Sequence, residues 1–118
     1  MGYKNVYVSH PLLGDMDRKS PNISVPFANK EKVDGICPQI VETYPNVIPL
    51  SPLHNFSYLN VFERETSLKL CLRLLSLCDE MWVFGDWENS EGCKLEIVRA
   101  GEMKIPVFYG KEGISDGA

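Results

Sequence analysis

The chain has no apolar run near the roughly 20 residues that cross a bilayer, so no membrane partner is expected. Its first residues, MGYKNVYVSH, enter a strand-like pattern and lack the apolar core of a secretory signal. The cytoplasm is the expected setting. Basic clusters are missing too: 12 Lys and Arg stand against 16 Asp and Glu, a net charge of −4. No nucleic-acid polymer is expected as a partner, because such binding rests on neutralising many phosphates. A single nucleoside or nucleotide stays open, since backbone amides and one or two side chains can hold it. No pair among Cys37, Cys71, Cys78 and Cys93 has the Cys-x-x-Cys spacing of a zinc or redox site. They read as reduced core cysteines, and neither a metal nor a cofactor is expected. There is no GxGxxG or Walker sequence, no internal repeat, and no hydrolase elbow to join His10 or His54 in a triad.

What is there reads as one α/β domain over residues 3–110, followed by a flexible, glycine-rich tail over 111–118. Lys4 to Val8 has the β-branched and aromatic residues of a strand. Ser9 to Ala28 is an aperiodic loop, and Asn29 is a plausible cap for a helix from Lys30 to about Thr43, with Pro38 expected to bend or cut it. Val47 to Leu50 gives a second strand, followed by the loop SPLHNFSYLN. Glu63 to Cys78 is a helix whose leucines and cysteines cover more than one stripe, which leaves apolar surface for a second copy of the chain. Met81 to Phe84 is a strand, Gly85 to Glu91 a loop, Gly92 to Met103 a helix and Ile105 to Tyr109 a last strand. Strands alternating with helices imply a three-layer, flavodoxin-like or Rossmann-like parallel sheet of four to five strands flanked by helices. The expected order is 2-1-3-4. The loops after Val8 and Phe84 then meet at one crevice outside the carboxyl ends of the strands.

That geometry singles out the residues able to carry chemistry. Glu96 lies one turn from Cys93 and Ala100, at the edge of the buried face of the last helix. It reads either as a partly desolvated nucleophile or general base, or as an amphipathic edge residue paired with Arg99 or Lys94. Ser90 is an N-cap or an anion ligand, and Gly92 flanks the same helix start. Asp86 and Asn89 bind hydroxyls or stabilise turns. Ser9, His10 and Gly14 follow the first strand, where Gly14 lets the backbone approach a ligand and His10 titrates near neutrality. Tyr7 is a packing residue, or one whose hydroxyl reaches Glu96 if the two loops converge.

These residues resemble those of the nucleoside 2-deoxyribosyltransferase-like superfamily, which includes deoxyribosyltransferases and 2′-deoxynucleoside 5′-phosphate N-hydrolases. The resemblance rests on VYVSHPLLGD and on Ser90-Glu91-Gly92-Cys93-Lys94-Leu95-Glu96. Uncharacterised small bacterial and phage domains of that superfamily are more similar still, through LLSLCDEMWVFGDWENSEGCKLEIVRAGEMKIPV, and the likeness spans Lys4 to Tyr109. It implies that Glu96 attacks C1′ of the sugar and that Tyr7 orients it. Ser9, Gly14, Ser90 and Gly92 then line a sugar or phosphate pocket, completed in a homo-oligomer. A retaining glycosidase follows the same logic, with a carboxylate intercepting an oxocarbenium-like centre.

The chain departs from the family pattern in three ways. The aspartate that helps protonate the leaving base is missing: its place falls near Cys71, and no aspartate occurs between Asp34 and Asp79. The first loop carries His10 and an extra stretch, Met16 to Ala28. The phosphate-binding basic residue has no match in Ser9 to Asp15, with Arg18 or Lys19 as substitutes. Asp86 is the candidate replacement for the acid. Two functions follow: a nucleoside or nucleotide N-glycosidic hydrolase or deoxyribosyltransferase, or a module that binds such a ligand without turnover.

Overall fold

Lys4–Ser9 forms β1, and its last four residues are buried on both faces, which is why the run Val6-Tyr7-Val8 is continuously apolar. The computed structural model describes residues 2–11, 24–55 and 64–115, with side chains over 2–11, 34–52, 54–55 and 65–115. Along the chain β1 is followed by α1 (Ser24–Thr43), β2 (Val47–Leu50), α2 (Pro52–Asn55), α3 (Arg64–Leu75), β3 (Glu80–Val83), α4 (Glu91–Glu102) and β4 (Val107–Tyr109). The four strands are parallel in the order β2-β1-β3-β4, the order expected from the sequence. The α/β, flavodoxin-like architecture is therefore as expected.

Strand alternation divides the core in two. Val6, Val8, Trp82 and Phe84 face α1 and pack on Ile36 and Ile40. Tyr7, Met81 and Val83 face the other way, against Cys71, Leu74 and Leu75 of α3, Cys78 beyond its end and Ala100 of α4. Asp79 fixes the register between β1 and β3: its carboxylate accepts from the Asn5 N–H at 2.8 Å, and its own N–H donates to Asn5 O at 2.7 Å.

Several boundaries differ from the sequence reading. Helix α1 begins at Ser24, not after a cap at Asn29, and so takes in the end of the expected loop. Pro26 sits in its first turn, where a missing N–H costs nothing because those amides have no intrahelical acceptor. Pro38 does not end the helix. It lies on the exposed side, while Ile36 and Ile40 take the buried side. Helix α3 stops at Leu75 rather than Cys78 because the Leu77 and Cys78 amides donate three residues back, to Leu74 O and Leu75 O, tightening the last turn.

Part of the expected tail is tied to the body. The Ser115 N–H donates to Gln39 Oε1 at 2.9 Å, and Gln39 Nε2 donates to Ser115 O at 2.8 Å. Tyr44 donates its hydroxyl to Glu112 O at 2.7 Å, and Ile114 packs against the α1-side core. These bonds are long-range in sequence, so no local pattern announces them.

Candidate functional site

Tyr7 and Ser9 are two residues apart on β1 and project from the same face at its carboxyl end. Across from them runs α4. Its start is set by Ser90, whose Oγ accepts from the Cys93 N–H at 3.2 Å, so the expected N-cap is present. From that start the helical repeat turns Cys93, Glu96 and Ala100 inward, and all three are buried. Lys94, Arg99 and Glu102 are exposed, and Arg99 bonds Glu102, not Glu96. The surface pairing of Glu96 is thereby overturned.

Glu96 is 5% exposed and holds two hydroxyls. Tyr7 donates its hydroxyl to Oε2, and Ser9 Oγ donates to Oε1 at 2.8 Å. Ser9 Oγ also lies 3.4 Å from Cys93 Sγ. Burial pushes the carboxyl up to about 7 against the two hydrogen bonds, which favour the ionised form. The Tyr7 hydroxyl is held well above its ordinary value, first by burial and then by the charge of Glu96. The Cys71 thiol lies against the Tyr7 hydroxyl, and burial followed by the Glu96 charge raises it to about 12. Burial and the same charge raise Cys93 to about 11. At neutral pH the site is one carboxylate near its midpoint, surrounded by neutral hydroxyls and thiols.

The remaining expected residues are placed less uniformly. His10 is buried at the end of β1, its Nδ1 3.1 Å from Pro11 O, and its ring lies on the Gly85 backbone. A Cβ at Gly85 would come within 2.6 Å of His10 Nε2, and its φ is +74°. Only glycine meets both demands there. Gly85 was not among the expected site residues, although a glycine directly after a buried strand is the signal the sequence carries for it. Asp86 is exposed and accepts from Asn89 Nδ2 at 2.8 Å, so it stabilises the turn before α4. Gly92 lies in the first turn of α4, half-buried. Gly14 lies outside the described residues. His54 pairs with Asp34 on the other face of the sheet, beside an open groove of about 560 Å³ lined by Cys37, Pro49 and Ser51 among others. All four cysteines are free, and no cluster of three or more metal-ligating side chains occurs among the described residues. No helix among them is long and apolar enough to cross a membrane.

Residues 4–110 match the family described as Domain of unknown function (DUF7768). No curated protein matches the sequence. Among solved structures the chain is similar to a 2-desoxiribosyltransferase from Leishmania mexicana, with a TM-score of 0.51 and 14% identity. The likeness covers 95% of this chain and 77% of that one. The fold is therefore of the nucleoside 2-deoxyribosyltransferase type, as the sequence resemblance implied.

Proposed function

The chain belongs to that family of unknown function, and we propose that it cleaves or transfers the N-glycosidic bond of a nucleoside or nucleotide, with Glu96 as the nucleophile. One observation carries this reading. A buried carboxylate at the carboxyl edge of a parallel sheet accepts hydrogen bonds from Tyr7 and Ser9 and pairs with no cation among the described residues. Such an edge is where open α/β sheets take small ligands. Tyr7 and Ser9 fix the direction of the two oxygens and favour the ionised form that attacks C1′. The carboxylate then leaves when water or a second base takes the sugar. The deoxyribosyltransferase-type fold supports nucleoside chemistry as the setting.

Base release from 2′-deoxynucleosides and their 5′-monophosphates, followed by chromatography, tests this. Glu96→Gln and Glu96→Ala should bring the rate down to that of buffer. Because Glu96 acts ionised and its carboxyl titrates at about 7, the rate should climb with pH up to about 7 and level off above it. Activity surviving in Glu96→Ala would sink the mechanism.

Cys71 favours a second reading, a binding module without turnover, because a thiol stands where the resemblance places an acid. Thermal stabilisation by a nucleoside with no base released would favour it. The proposal extends to a cytoplasmic homo-oligomer. Free, buried thiols support the setting. The exposed Leu77, Leu95 and Val98 on the α3–α4 side support the assembly. Light scattering that reports a monomer at micromolar concentration would remove that part.

A further inference from the structure

The groups around Glu96 hold the attacking atom but offer little to a departing base. A neutral purine or pyrimidine leaves as an anion unless something protonates it, so cleavage of an ordinary nucleoside calls for an acid near the leaving nitrogen. The side chains that hydrogen-bond Glu96 among the described residues are Tyr7 and Ser9, both spent on its oxygens. Behind Tyr7 stands Cys71, a thiol whose proton burial and the Glu96 charge hold up to about 12. The His10 ring faces Pro11 and Gly85. Asp86 is exposed and bound to Asn89.

The entrance adds a second observation. From Gly85 to Lys94 the chain carries Asp86, Glu88 and Glu91 against a single base, Lys94. Asp86 and Glu88 are exposed. Between them lies the half-buried ring of Trp87, 4.9 Å from that of Tyr109. Carboxylates beside an aromatic face suit a flat cation and repel a phosphate.

We propose that this site acts on nucleosides whose base already carries a positive charge at a ring nitrogen, as in N7-alkylated purines or N-linked pyridinium rings. The inference rests on the Glu96 reading above. A Glu96 oxygen forms a bond to C1′ while the C1′–N bond breaks. The bonding pair moves onto the base, which cancels its positive charge and lets it leave neutral without a proton. Water then attacks C1′, the ester oxygen returns to Glu96 as carboxylate, and the proton of the water passes to solvent. No other reactant is needed.

The test compares 7-methyl-2′-deoxyguanosine with 2′-deoxyguanosine, which differ by one methyl group and one charge, using the whole chain and subtracting the enzyme-free rates. The cationic substrate should react at least about 10²-fold faster, the lower end of what a positioned acid contributes. Its turnover should vanish in Glu96→Gln. In Cys71→Asp, an acid beside the site should narrow the ratio at least about ten-fold. A smaller ratio in the unaltered protein, with Glu96-dependent cleavage of both substrates, would overturn the inference and leave the glycosidase reading standing. It would mean that an acid from outside the described residues protonates the base. Cleavage of neither substrate would overturn both.

Discussion

The two faces of the sheet are built from alternate residues of the same strands, yet they are used in opposite ways. On the α1 side, Val6, Val8, Trp82 and Phe84 meet Ile36 and Ile40, and the cluster is apolar throughout. Lys111 reaches over its rim, its Nζ 4.2 Å from the Phe108 ring centre and 4.9 Å from that of Trp82. On the α3–α4 side, the equivalent layer opens at the end of β1 into Ser9, Cys93 and the carboxyl of Glu96. One face contributes packing. The other gives up packing to hold a charge out of water.

That contrast can be broken at three points. Trp82→Ala removes the largest fully buried side chain of the apolar face. It should cost about 3–5 kcal/mol in urea denaturation, and the same amount at about pH 5 and pH 8, because the carboxylate that Trp82 bonds, Glu80, is held below its ordinary value and is ionised at both. A cost that changed with pH would show that the two faces are not separate.

Glu96→Gln should behave the opposite way. The folded-state carboxyl titrates at about 7 against an ordinary 4.5. The contribution of this group to stability is therefore full below about 4.5 and is lost as pH rises to about 7. At about 1.4 kcal/mol per unit, the loss is roughly 3 kcal/mol. The glutamine variant lacks that slope, so its advantage over wild type should grow by this amount between about pH 4.5 and pH 8. Parallel stability profiles would mean that Glu96 is not desolvated. The smallest effect belongs to Lys111→Ala, which removes the cation over the rings. It should cost about 0.5–2 kcal/mol and leave base release unchanged. Any change in base release would place Lys111 itself within the site.

Much of the fold was legible because its signals are local. The strand order followed from alternating elements and the handedness of parallel crossovers. Ser90 was readable as a cap because capping involves only the next three residues. Glu96 stood out because a carboxylate one turn from Cys93 and Ala100 breaks an otherwise apolar face. Signals that compete with a neighbouring one, or that depend on a distant partner, were missed or left open. Asn29 looked like a helix start, yet α1 begins five residues earlier, where Pro26 fits the first turn. Asp86 read either as a turn residue or as an acid for the site, and its bond to Asn89, three residues on, fits the turn. Residues 111–115 read as a tail, and Gln39 and Tyr44 hold their backbone.

The sequence by itself determined the order of elements, the helix that carries Glu96 and the absence of an aspartate near Cys71, because periodicity, capping and composition need no partner. Tertiary structure alone decided what surrounds the carboxylate. Tyr7 and Ser9 lie 89 and 87 residues from Glu96, and only the pairing of β1 with β3 brings them to its oxygens. The shift of its titration to about 7 is likewise a property of that enclosure, since desolvation is set by everything packed around a group and by no residue alone.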